Sequence, residues 1–472
     1  MSPAIDLFWA CTTSHDLHCA QSYANAHPQV VLHPIVQDEH LLTGEHQAIL
    51  VDSLSSSKSL RLIAQHSTAP YVALFLRPTH FQPAYRCLER LLQVAIDTQA
   101  AMIYADHWIQ QEEKDGTLSL PQLHPLIDYQ IGSVRDDFDF GGLWLVRGEL
   151  LRNFVAENKC RYKFAAFYAL RLYLSQQGEL YHLREPLYTE LQIDLRQSVE
   201  KQFDYVNPSA REVQLEMERA CTHHLKEIDA WLDPSEFDDI PIEYAPINNS
   251  ESEVISNYKE GTQLLNQSFE GTFPVTASVI IPVRNRVRTI ADAIQSVLSQ
   301  DADFPFNLIV IDNHSSDGTL DVITKWQQQD QRVVLLTPER TDLGIGGCWD
   351  MAIRSEHCGR YAVQLDSDDL YSGADTLKRI VEVFQKQKVA MVIGAYRMVD
   401  FSLNTLPPGL IAHTEWTADN GRNNALRING LGAPRAFNTS ILRTIGFPNT
   451  SYGEDYALGL AISPHHRIRR TQ

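Results

Sequence analysis

Positive charge is scarce in this chain: 40 lysines and arginines stand against 59 aspartates and glutamates, a formal net charge of −19. That excess disfavours general binding to nucleic acid or to anionic lipid and leaves only local basic patches open. Paired cysteines are missing as well. The seven (Cys11, Cys19, Cys87, Cys160, Cys221, Cys348, Cys358) are scattered, odd in number and without a CxxC. Neither a zinc knuckle nor a disulfide framework is indicated, and a reducing, cytoplasmic setting fits. No run approaches the ~20 apolar residues that cross a bilayer, and "MSPAIDLFWACTTSHDLH" lacks the basic start and apolar core of a secretory signal. Work at a membrane would be peripheral. The 18 histidines form no metal-spaced set. With 44% hydrophobic and 21% charged residues, the 472-residue chain reads as an ordinary globular protein of two or three domains.

What is present is regular. From Ala277 onward, "ASVIIPV" reads as a buried strand and "TIADAIQSVLSQ" as a helix with Ile290, Ile294, Val297 and Leu298 on one face. "FNLIVIDN", "RVVLLT", "YAVQLDSDD" and "VAMVIGAY" repeat the strand signal; "TLDVITKWQQQ", "GGCWDMAIRSE" and "TLKRIVEVFQKQ" repeat the helical one. Such alternation predicts right-handed crossovers and a mostly parallel sheet with helices on both faces. Ligands bind such sheets at the carboxyl ends of the strands, where Asp312, Asn313, Asp366 and Asp368 fall. Upstream, residues 228–276 are acidic and rich in Pro, Ser and Asn, as a linker is. "SAREVQLEMERACTHHLKEIDAWL" before them reads as a long helix. The expected organisation is one domain over 1–205, a helix and acidic linker over 206–276, and a second domain over 277–472.

The first 200 residues resemble the second domain in three places, in the same order. "AILVDSLSSSKSL" (48–60) can be laid on "IVIDNHSSDGTL" (309–320) with Asp52 beneath Asp312. "APYVALFLRPTHF" (69–81) lies on "GRYAVQLDSDDLY" (359–371), and "KFAAFYALRLYL" (163–174) on "SYGEDYALGLAI" (451–462). An internal duplication is the expectation, against chance similarity of two α/β domains. Where the second copy carries carboxylates the first lacks them. Leu76, Arg77 and Pro78 stand opposite Asp366, Ser367 and Asp368, and Ala166 and Phe167 opposite Glu454 and Asp455. The first copy would be inactive. Only 24 residues separate Asp52 from Leu76, against 54 between Asp312 and Asp366, so the strand and glycine loop between them are expected to be missing there.

The clustered carboxylates of "LDSDDLY" (365–371) repel one another unless a positive charge sits among them. Carboxylate oxygens are hard ligands suited to Mg²⁺ or Mn²⁺. A solvated turn with Asp369 or Ser372 as helix cap is the plain alternative for this stretch alone.

The surrounding motifs resemble the family 2 glycosyltransferases of the GT-A fold over about Ala277 to Ile462. "SVIIPVRNRVRTIADAIQSVLSQ" is similar to their opening strand and helix, and "LIVIDNHSSDGTLDVI" to their second strand with its D-x-x-S-x-D-x-T turn. "DLGIGGCWDMAI" resembles their glycine loop, with Asp350 where many members have Asn; "VQLDSDDLY" and "GEDYALGLAI" resemble the metal-binding strand end and the motif supplying the base. The resemblance implies an inverting transferase that uses a nucleoside diphosphate sugar, UDP first, with Mn²⁺ or Mg²⁺. Pro282, Arg284 and Asn285 would border the nucleotide base, Asp312 would accept hydrogen bonds from base or ribose, and Gly344 and Ser367 would also lie on the donor. Asp366 would face the ribose and Asp368 would hold the metal. Asp455 would be the general base, with Glu454 as neighbour and alternative; a dipole-favouring pair at a helix start is the plain reading.

Further expectations follow from the stretch before that motif and from the end of the chain. Gly430 and Gly432 would allow close backbone approach, and Arg435 would reach phosphate or an acidic sugar, or make a structural pair. His465 and His466 lie where some GT-A enzymes place a metal-binding His. The sequence ends 17 residues after Asp455, so the acceptor side is expected to be truncated or completed elsewhere. "HHRIRRTQ" is too short to fold alone, and no "QxxRW" of the processive synthases follows, which favours non-processive transfer. The acceptor would be a glycan or a lipid-linked one, in surface polysaccharide synthesis at the inner face of the membrane. The competing classes are a sugar nucleotidyltransferase, for which "IPVRNRVRT" lacks the glycines, and a non-catalytic nucleotide- or glycan-binding module.

Overall fold

The structure is a computed structural model that describes residues 4–42, 47–112, 117–191, 211–238, 240, 273–418, 420–428 and 431–471. Most of the expected linker and Gly430 lie outside these residues. The chain divides into two compact units, Met1–Trp231 with Leu426–Ile428, and Leu232–Ala425 with Asn429–Gln472. The helix expected over 209–232 is Arg211–Glu227.

Strand Ala277–Val283 is buried at every position but Pro282, and Phe306–Asp312 at every position. Unbroken apolar runs of this kind belong in the middle of a parallel sheet covered on both faces. Helix Ile290–Leu298 buries Ile290, Ala293, Ile294 and Val297, and helix Thr376–Lys386 buries Leu377, Ile380, Val381 and Phe384. Both patterns are the i, i+3, i+4, i+7 stripe of a helix lying on a sheet.

Each unit is built on a seven-stranded sheet, and the two sheets share one strand order. In the first, edge to edge, the order is Leu180–Leu183, Met102–Ala105, Leu143–Arg147, Tyr71–Phe75, Ile5–Ala10, Val30–Val36, Ile49–Leu50. In the second it is Ile468–Arg470, Met391–Ile393, Arg435–Asn438, Tyr361–Gln364, Ala277–Val283, Phe306–Asp312, Val333–Leu336. The directions agree pair by pair: the third strand in each order is antiparallel to both neighbours, and the other four pairs are parallel. The fold is a mostly parallel α/β sheet, present twice.

Register decides which residues correspond. Ile5 pairs with Tyr71 and Val30, and Ala277 with Tyr361 and Phe306. Tyr71 therefore matches Tyr361, which places Leu76, Arg77 and Pro78 opposite Asp366, Ser367 and Asp368 as expected. Helices Ala166–Gln177 and Glu454–Ile462 both precede the last strand of their sheet, so the third match also holds.

The first match does not hold. Asp52 follows Ile49–Leu50, the counterpart of Val333–Leu336, and the residue in register with Asp312 is Val36. The local likeness of "VDSLSSS" to "IDNHSSD" is overridden by strand pairing, which fixes register over the whole sheet. The strand is present in the first unit, and helix Ser57–His66 occupies the place of Ile345–Arg354. What is shortened is the connection after Val36, where a three-residue turn, Glu39–Leu41, replaces helix Thr319–Gln329.

The basic ending is also ordered into the sheet: Ile468–Arg470 pairs in parallel with Met391–Ile393.

Candidate active site

The candidate residues converge at the carboxyl ends of the central strands of the second unit. Asp312 is buried at the end of its strand; its Oδ2 accepts from the Ser315 amide (3.3 Å), while its buried Oδ1 has no hydrogen-bond partner among the described residues. An unpartnered buried carboxylate oxygen is costly and invites a donor. Next to it, Asn285 takes a left-handed backbone (φ 55°). Its amide donates to Ser315 Oγ (2.9 Å) and its Oδ1 accepts from the Ser316 amide (2.8 Å). Asp317 accepts from the Val287 amide (3.1 Å) and caps Thr319 (3.0 Å). The D-x-x-S-x-D-x-T turn thus clamps the loop after the first strand. Asn285 spends its side-chain oxygen inside that clamp, Pro282 stays in the strand, and Arg284 is exposed.

After strand Tyr361–Gln364 the chain turns, with the Asp369 amide donating to the Asp366 carbonyl (3.1 Å). Ser367 is buried, whereas Asp366, Asp368 and Asp369 are exposed. Desolvation by the surrounding protein pushes the Asp366 carboxyl above its ordinary range; Gln364 and Arg435 offset part of the rise, and the charges of Asp368 and Asp455 add to it. Asp369 is pushed up to about 6, by burial first and then by Asp366 and Asp368. The nearest cation to Asp368 is Arg286, Nε to Oδ2 3.4 Å, in a half-exposed pair that contributes little.

Asp366 and Asp368 offer hard oxygen donors, and burial first, then neighbouring carboxylates, raise the proton affinity of Asp366 and Asp369. Among the described residues no group of three or more His, Cys, Asp or Glu is arranged to hold a metal ion. The donor set fits an ion that takes the rest of its shell from phosphates and water, as Mg²⁺ does. His465 is not brought to it: its Nδ1 pairs with Asp238 Oδ2 at 3.3 Å.

Glu454 and Asp455 open helix Glu454–Ile462, where the helix dipole favours negative charge. Asp455 Oδ2 lies 2.6 Å from Arg435 Nη2. The same guanidinium donates from Nη1 to Gln364 Oε1 (2.9 Å), and Gln364 Nε2 donates to Asp366 Oδ1 (3.0 Å). A continuous chain of side chains therefore joins Asp455 to Asp366. Burial raises Glu454, the nearby Asp455 and Asp366 add to the rise, and its Oε2 is buried without a hydrogen-bond partner. Sequence reasoning left Arg435 between two readings and missed Gln364, whose only signal is one polar residue closing the strand "YAVQ".

The glycine loop faces the chain's own backbone. The Gly344 amide donates to Asn449 Oδ1 and the Gly346 amide to the Thr450 carbonyl, both at 2.8 Å. A Cβ at Gly346 would stand 2.0 Å from the Pro448 carbonyl oxygen. These glycines let the segment leading to Glu454 approach closely. Asp350 fixes the same region, accepting from the Phe447 amide (3.1 Å) and pairing with Arg354 (2.7 Å). Gly432 makes room for the His413 ring.

At the matching strand end of the first unit, Arg77 lies 2.6 Å from Glu190 and 3.1 Å from Asp139, and the buried His107 ring is 3.5 Å from Glu190. A cation is built into that position.

Residues 278–445 match the model of Glycosyl transferase family 2. TuaG of Bacillus subtilis (strain 168), a glycosyltransferase assigned to teichuronic acid biosynthesis, is 28% identical over 149 residues, which cover 32% of this chain and 58% of that one. The poly(ribitol-phosphate) beta-glucosyltransferase of Bacillus spizizenii is 25% identical over 124 residues, 26% of this chain and 19% of that one. Among solved structures, S. aureus TarS 1–349 in complex with UDP-GlcNAc aligns with a TM-score of 0.34 and 21% identity, over 41% of this chain and 55% of that one. The chain spans just over half the length of the first of these relatives and less of the other.

Proposed function

We propose that the chain is an inverting glycosyltransferase that moves one sugar from a nucleoside diphosphate sugar, UDP-linked by the family resemblance, to a hydroxyl of a glycan or lipid-linked acceptor. The observation that carries this reading is the linked pair of carboxylates. Asp366 stands at the strand end, Asp455 at a helix start, and Gln364 and Arg435 join them. Asp455 takes the proton of the acceptor hydroxyl as its oxygen attacks the anomeric carbon; the bond to the diphosphate breaks with inversion. Asp312 offers its free Oδ1 to a donor group of the nucleotide. Mn²⁺ or Mg²⁺ held by Asp368, with Asp366 beside it, would neutralise charge on the departing diphosphate.

The first unit, in this reading, transfers nothing, because Arg77 occupies the charge position that the second unit leaves open. Work in surface polysaccharide synthesis at the cytoplasmic face of a membrane is consistent with the teichuronic acid and poly(ribitol-phosphate) named for the relatives. Among the described residues no helix is long and apolar enough to cross a membrane.

The test is a panel of nucleotide sugars with Mn²⁺, scored for nucleoside diphosphate release with and without glycan acceptors. Asp455→Asn should lower the transfer rate by roughly 10²–10⁴-fold with donor affinity nearly unchanged. Unchanged turnover in that variant would remove Asp455 from the reaction.

A further inference from the structure

Arg435 sits on the antiparallel strand Arg435–Asn438, beside strand Tyr361–Gln364, with its side chain largely buried. Every arm of its guanidinium is committed. Nη2 holds Asp455 Oδ2 at 2.6 Å, Nη1 holds Gln364 Oε1 at 2.9 Å, and Nε donates to the Leu431 carbonyl. A rigid fork with three bonds cannot turn without releasing one of them. Gln364 in turn is oriented by this bond, because its oxygen is taken and its amide nitrogen must face Asp366 Oδ1 at 3.0 Å.

We propose that Arg435 is a positioning residue that couples the two sides of the site: it aims Asp455, and through Gln364 fixes the donor-side carboxylate Asp366. This rests on the transferase reading above. The contact limits rotation of the Asp455 carboxylate, so acceptor hydroxyl and base meet in one geometry. One residue then serves both substrates, which explains a buried arginine beside these carboxylates.

The experiment compares the full chain with Arg435→Gln, Arg435→Lys and Gln364→Leu. In Arg435→Gln the rate of nucleoside diphosphate release should fall about 10²-fold, in kcat more than in donor KM. Arg435→Lys, one nitrogen in place of a fork, should recover part of the rate. Gln364→Leu cuts only the donor-side arm and should raise donor KM while kcat stays near that of the wild type. Unchanged kcat in a folded Arg435→Gln, or a loss of the same size in Arg435→Lys, would overturn the proposal and leave the transferase reading intact. If the wild-type chain cleaves no donor, both fall.

Discussion

Gly346→Ala isolates the packing that holds the segment leading to helix Glu454–Ile462. The added Cβ would lie 2.0 Å from the Pro448 carbonyl oxygen and 3.0 Å from Glu454 Cβ, where ordinary contact begins at 3.4 Å. The first of these neighbours is backbone and cannot swing away, so segment 448–451 must retreat by more than an ångström. Overpacking of this kind costs about 1–3 kcal/mol. Loss of the Gly346 amide bond to Thr450, now 2.8 Å, adds about 1 kcal/mol, and the better helix propensity of Ala returns up to about 1 kcal/mol. The expected net loss is about 1–4 kcal/mol in the unfolding of the second unit. Because Glu454 follows three residues later, transfer should fall with stability. Differential scanning calorimetry resolves the two units, and nucleoside diphosphate release measures transfer. Gly373→Ala is the control, since its Cβ would meet side-chain atoms alone, Asp375 Oδ1 at 3.1 Å and Thr376 Oγ1 at 4.0 Å. Stability within about 0.5 kcal/mol of wild type for Gly346→Ala, with normal transfer, would refute the close docking.

In the full chain, Asp368→Ala should abolish the Mn²⁺-dependent part of UDP binding by calorimetry; metal-dependent binding that survives would assign a site to the first unit. Mn²⁺ affinity should fall between pH 7 and pH 5, because Asp369 takes up a proton near 6 and leaves less negative charge at the strand end; a flat profile counts against the cluster as the cation site. Arg77→Met should destabilise the first unit by about 1–3 kcal/mol, between the values for exposed and buried pairs, since the Arg77 side chain is 42% exposed. Burial raises Glu190, but the His107 ring and Arg77 outweigh it and hold the carboxyl below its ordinary value, so this contribution is present above about pH 4.3 and is lost as pH falls through the lowered value; thermal unfolding from pH 3 to 7 should show a shallower acid limb in Arg77→Met.

Much of this arrangement is legible in the residues. Ala277–Val283 and Phe306–Asp312 announce themselves because strands buried on both faces must be apolar throughout, and the helices because one face repeats at 3.6 residues. The position of Asp366 and Asp368 follows from the end of the apolar run. Arg435–Asn438 does not announce itself. Four residues between Pro434 and a helix carry too little pattern to show that they lie inside the sheet, antiparallel to both neighbours. Pairing there is a long-range property, and β propensity depends on the partners. The same limit misplaced Asp52, since local likeness says nothing of register. The partner of the glycine loop was hidden for a related reason: Gly346 and Pro448 are distant in sequence and meet only in the fold.

The two copies of the sheet show how little the scaffold decides by itself. Strand order, directions and register place Arg77 and Ser367 at the same point of the same strand end. In the first unit a guanidinium stands there with Glu190 and Asp139 within 3.1 Å, so the local charges are met by groups the chain already owns. In the second unit three carboxylates crowd the turn, two of them with raised proton affinity, and the nearest cation to Asp368, Arg286, is a half-exposed partner at 3.4 Å. Crowded like charge is unfavourable until a cation arrives, and that deficit is a driving force for binding one. A tethered arginine removes the deficit permanently. It cannot leave with a product, and it leaves nothing for a metal-bound diphosphate to neutralise. The strand end fixes where a ligand would sit, and the charge left unbalanced at that point decides whether one is drawn in.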